Sequence, residues 1–78
     1  MSVLMWEVRA VAGRLDELLD HVLRHTDPAA QVYRSSAGES RLVVIDPTGQ
    51  GVGDLPEGLA ARDPHIWAFE SVPREAPR

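Results

Sequence analysis

The chain contains no cysteine. Disulfides, thiolate catalysis and cysteine-ligated iron–sulfur clusters are thereby excluded. It contains no lysine, and all eight basic residues are arginine. A Schiff-base lysine and a phosphate-loop lysine are excluded with it. Asparagine is also missing, so no catalytic asparagine exists. GC-rich coding, which disfavours the codons of both residues, is the plain explanation. No apolar run approaches the roughly 20 residues of a membrane span. The N-terminus has no basic region ahead of a long apolar stretch, so no secretion signal is expected and a cytoplasmic location is. The net charge of −4, with acids and arginines interspersed, argues against nucleic acid as the main partner.

What is present is a short chain whose strands read apolar on both faces. Seventy-eight residues make one domain, near the size where a single core barely suffices. We expect that domain over residues 1–73, with a polar, disordered tail over 74–78. Residues 41–46 read Arg-Leu-Val-Val-Ile-Asp, and residues 65–70 read His-Ile-Trp-Ala-Phe-Glu. A strand sends successive side chains to opposite faces, so a sheet with one wet face should alternate apolar with polar. Leu42 and Val44 oppose Val43 and Ile45, while Ile66 and Ala68 oppose Trp67 and Phe69. Both faces need cover, and this chain can supply only one. A second copy is the expected cover for the other.

Residues 3–10 form a first strand, with Leu4, Trp6, Val8 and Ala10 on its better core face. A helix follows over 14–26. Leu15, Leu18, Leu19, Val22 and Leu23 make its apolar stripe, and Asp27-Pro28 ends it. Residues 30–36 and 40–46 pair as a hairpin around Ala37-Gly38-Glu39. Asp46-Pro47-Thr48-Gly49 is a turn signal. Asp54 with Glu57 resembles a capping box and predicts a short helix over 55–62. The last strand is expected over 65–72. The order β-α-β-β-α-β predicts an α+β, ferredoxin-like fold with a four-stranded antiparallel sheet and both helices on one side.

With that strand order, the hairpin Gln31-Val32-Tyr33-Arg34-Ser35…Arg41-Leu42-Val43-Val44-Ile45-Asp46 and the aromatic closing strand, the chain resembles the dimeric α+β barrel superfamily, which contains the antibiotic-biosynthesis-monooxygenase-like proteins. The resemblance covers residues 3–72 and is one of pattern. It implies a homodimer with a ligand pocket beside the sheet. Members include cofactor-independent oxygenases, haem-degrading proteins, isomerases, cyclases and proteins without known activity. The Asn–Trp–His set of the haem-degrading branch is absent, since there is no asparagine. No catalytic residue carries over, and fold alone does not give function.

Several side chains are candidates for chemistry. Glu7, Arg9, Tyr33 or Arg34, His65 and Trp67 are placed to line the uncovered face. A histidine beside a carboxylate can act as a general base, which makes His65 the catalytic candidate. Trp67 and Phe69 can stack on a flat ligand. The plainer reading is an interfacial ion pair, with the aromatics as dimer core. His21 and His25, four residues apart with Glu17 a turn earlier, have the spacing of a shared metal site. Their position off the apolar stripe favours a solvated face instead. Gly49-Gln50-Gly51-Val52-Gly53 lacks the dinucleotide spacing and is read as a flexible connection. Ser35, Ser36 and Ser40 belong to turn chemistry, because no nucleophile elbow is present.

The sequence thus predicts a homodimeric ligand-binding or accessory protein that needs no cofactor and takes a small apolar or aromatic molecule on the sheet face. The alternative is a cofactor-independent monooxygenase-like or cyclase-like enzyme. In that case His65 is the base, Arg9 or Arg34 steadies an enolate, and the substrate is small, aromatic or polyketide-like. A helix-surface metal-binding protein ranks last.

Overall fold

The computed structural model describes residues 2–74. Of the tail expected over 74–78, residues 75–78 lie outside the described residues. Five regular elements follow one another: β1 (Ser2–Arg9), α1 (Leu15–His25), β2 (Gln31–Arg34), β3 (Arg41–Asp46) and β4 (His65–Glu70). The strands form one sheet in the order β2-β3-β1-β4. Every neighbouring pair is antiparallel. The architecture is α+β and compatible with a ferredoxin-like arrangement. Among the described residues no helix is long and apolar enough to cross a membrane.

The helix-side face follows the expected parity. Trp6, Val8 and Ala10 from β1 and the residue after it, Leu42 and Val44 from β3, and Leu18 and Val22 from α1 are all buried. Opposed residues of antiparallel strands share a face, so Trp6 beside Val44 and Val8 beside Leu42 give one apolar layer for the helix. Leu15 and Leu19 pack against that layer. Leu23, the last member of the predicted stripe, is 57% exposed. At about 100° per residue it lies roughly 90° from the centre of the buried arc, which places it on the rim.

The second helix expected over 55–62 does not form. Residues 57–59 are a turn, and Gly58 has φ +85°, a left-handed angle that no α-helix accommodates. Backbone pairing takes over where the helix was expected. Val11 N–H donates to the Leu59 carbonyl at 2.8 Å, and Ala61 N–H donates to the Arg9 carbonyl at 2.8 Å. Ala10 and Ala60 thereby form an antiparallel bridge just past the end of β1. Val52 and Leu59 are buried from this loop and finish the core that a helix would have covered. The element order is therefore β-α-β-β-β, and β4 has no helix over it. All six of its residues are exposed.

The loop after β3 is organised by a buried acid. Asp46 has no solvent exposure. Its Oδ1 accepts from Thr48 N–H at 2.8 Å and Thr48 Oγ1 at 2.6 Å, and its Oδ2 accepts from Gly51 N–H at 2.7 Å. Burial pushes the carboxyl up. The bonds from the Thr48 side chain and from the Gly51, Thr48 and Gln50 backbones more than offset it, so Asp46 lies below the usual carboxylate range. Gly51 takes φ +75° to present its N–H. The glycine-rich segment cradles an anion, and that anion is the chain's own aspartate.

Candidate functional site

The sheet face away from α1 is uncovered among the described residues. The registers place its side chains in rows across the strands. One row is Gln31, Ile45, Met5 and Trp67; the next is Tyr33, Val43, Glu7 and His65. Arg41 stands opposite Arg9 beyond the second row, and Val3 stands opposite Phe69 beyond the first. The face therefore has an apolar end built on Val3, Met5, Ile45, Trp67 and Phe69. Its other end is charged, built on Glu7, Arg9, Arg41 and His65. Parity alone left the orientation of Trp67 open. Pairing with Met5 puts it on this face, where it is 43% exposed.

Glu7 is the hub of the charged end. Its side chain is only 19% exposed. Oε1 lies 3.1 Å from His65 Nδ1, and Oε2 lies 3.0 Å from Arg41 Nε. The Arg41 contact is an ion pair whose angle falls outside hydrogen-bond geometry, with the Nε buried against the carboxylate. Trp67 lies beside His65, with ring centroids 5.7 Å apart and planes at 47°. A depression of about 280 Å³ opens here, lined by Glu7, Val8, Arg9, Arg41, Arg62, Asp63 and His65. Arg62 and Asp63 belong to the segment between the Ala60 bridge and β4.

The sequence candidates divide cleanly. Glu7, Arg9, Tyr33, His65 and Trp67 share this face. Arg34 does not: it pairs with Leu42 and belongs to the helix side. Tyr33 sits on the same row as Glu7 but two strands away, about 10 Å at ordinary strand spacing, and its hydroxyl donates to Gln31 Oε1 at 3.0 Å. Arg41 and Arg62 are added by the structure. Arg41 was legible in principle, since alternation puts it on the same face as Val43.

The histidines of α1 form a different arrangement. Their rings stack with centroids 4.0 Å apart. His25 Nδ1–H donates to the His21 carbonyl at 2.8 Å, and His21 Nε2–H donates to the Asp54 carbonyl at 3.3 Å. Glu17 is engaged by Arg14 at 2.6 and 2.9 Å. Among the described residues no group of three or more His, Cys, Asp or Glu could hold a metal ion. A second depression, about 420 Å³, lies on the helix side between Trp6, Ile66 and the 53–64 loop. It marks where the expected second helix is missing.

Comparison with protein-family models, curated proteins and solved structures found no match.

Proposed function

We propose that the chain is a small homodimeric ligand-binding or accessory protein of the cytoplasm. Two copies meet through the uncovered sheet face, in the manner of the dimeric α+β barrels, and a cleft at its charged end takes a small molecule. The observation that carries this reading is the apolar end of that face. Met5, Ile45, Trp67 and Phe69 form a contiguous patch that a monomer rarely leaves in water.

A second reading is favoured by the His65–Glu7 contact. A carboxylate holding Nδ1 leaves Nε2 of the imidazole free to take a proton from a bound substrate. That is the minimum of a cofactor-independent enzyme, with His65 as base and Arg9 or Arg41 beside the developing negative charge. The binding reading stands first, because the described residues of this site include one histidine base and no activated nucleophile.

Native mass spectrometry of the purified protein tests the assembly and the cleft together. The expected species is a dimer, and a retained small molecule would add its mass. A bare monomer at micromolar concentration overturns the proposal. Turnover that vanishes in His65→Ala, with the dimer intact, would replace the binding reading with the enzymatic one.

A further inference from the structure

Opposed like charges on neighbouring strands repel, and Arg9 and Arg41 are such a pair. Glu7 offsets one of them. Among the described residues, neither Arg9 nor Arg62 has a carboxylate within ion-pair reach. Three guanidinium groups thus face only two carboxylates around the 280 Å³ depression, a local positive excess in a chain of net charge −4. Arg41 Nε is buried against Glu7 Oε2 at 3.0 Å, so Glu7 is committed to Arg41 and His65 and does not neutralise Arg9 or Arg62. The aromatic wall begins where the cationic floor ends, at Trp67 beside His65.

We propose that this depression binds the carboxylate of a small planar organic acid, whose ring lies against His65 at the edge of Trp67. The inference rests on the ligand-binding reading above and gives the ligand its charge and shape. A carboxylate presents two oxygens in one plane, and guanidinium donors match that geometry. It neutralises the charge that Arg9 and Arg62 add, neither of which has a carboxylate within ion-pair reach among the described residues. Glu7 and Asp63 at the rim favour a monoanion over a phosphate dianion, because each repels further negative charge. The volume restricts the ligand to the small end of ordinary binding sites, which run from about 300 Å³ upward.

Calorimetric and NMR titrations of the intact protein at constant ionic strength test this, with benzoate, benzamide and inorganic phosphate as probes. Benzoate should bind saturably, and benzamide at least tenfold more weakly. Arg9→Gln and Arg41→Gln should each weaken benzoate at least tenfold and leave benzamide unaffected. Arg9 is exposed, so its variant remains informative if Arg41→Gln fails to fold. Phosphate that displaces benzoate at equal concentration would make this a general anion site and overturn the carboxylate assignment. Equal binding of benzoate and benzamide, insensitive to both substitutions, would also overturn it while leaving an aromatic cleft standing. Failure of all three probes to bind would remove the ligand-binding reading itself.

Discussion

Glu7 and His65 face each other across β1 and β4, with Oε1 and Nδ1 3.1 Å apart, and the same carboxylate meets Arg41 on the other side. One side chain therefore ties three strands together at the charged end of the sheet. Replacing it leaves Arg9 and Arg41 opposed with nothing between them. Glu7→Gln is expected to cost about 1–2 kcal/mol, read as a lower urea midpoint at unchanged slope. Arg9→Gln removes the repulsion instead and should shift stability by less than about 0.5 kcal/mol, or raise it. Equal destabilisation by both variants would count against Glu7 as the hub.

Asp46 gives the fold a pH dependence with a defined sign. Its folded-state carboxyl is depressed below the ordinary value by the Thr48, Gly51 and Gln50 donors, against the opposing effect of burial. A depressed acid contributes stability that is fully present above the unfolded value, about 3.9, and is lost as pH falls through the folded value. Asp46→Asn removes this titration and should cost about 1–3 kcal/mol near neutrality. Chemical denaturation at a series of pH values should show the gap between parent and variant constant from pH 6 to 8 and shrinking below about pH 4. A gap that widens toward acid would invert the assignment.

Gly58 distinguishes the observed turn from the helix that Asp54 and Glu57 suggest. In a helix over 55–62, Gly58→Ala would stabilise by about 0.4–1 kcal/mol. At φ +85°, with only the flexible end of Arg14 within 4.0 Å of the new methyl group, the same change should destabilise by about 1 kcal/mol through backbone conformation alone. Glu57→Ala should be nearly silent, because no capping box forms. Thermal melts of the two variants decide between these signs.

The parts of the fold that periodicity governs were legible beforehand. Leu18 and Val22 follow the 3.6-residue repeat, Trp6 follows the two-residue one, and all three are buried as expected; parity grouped Val44 with Leu42, and the pairing of Val44 with Trp6 puts that group on the helix side. The hairpin also forms, with Gly38 at φ +78°, but its connection spans 35–40 in place of the three-residue turn expected over 37–39. What escaped depends on contacts distant in sequence. Pairing of Ala60 with Ala10 is a backbone event that leaves no periodic trace. Trp67 lies on a strand apolar on both faces, so only its register against Met5 assigns it a side. Asp46 is the exception, since its donors lie only two and five residues ahead; Asp46-Pro47-Thr48-Gly49 signals the turn but not the burial of its acid. In the candidate site, Glu7, Arg9 and His65 were visible as polar residues on apolar strands. Arg41 lies within the expected strand 40–46, but its place opposite Arg9 depends on the β1–β3 register, which the sequence pattern does not state.

Val43 and Val44 provide the last prediction, because adjacent residues of one strand test the two faces separately. Val44 is fully buried beneath α1. An aspartate there is an unpaired charge in the core, and Val44→Asp should unfold the protein, a loss of more than about 4 kcal/mol. Val43 faces the other way, between Tyr33 and Glu7, where the proposed second copy would bury it. Val43→Asp should therefore retain the far-ultraviolet circular dichroism of the parent while sedimenting as a monomer, with a concentration-independent melting temperature in place of the parent's concentration-dependent one. A Val43→Asp variant that remains dimeric would move the interface off this face. A parent that is itself monomeric, with Val43→Asp equally stable, would mean that the uncovered apolar rows need no partner.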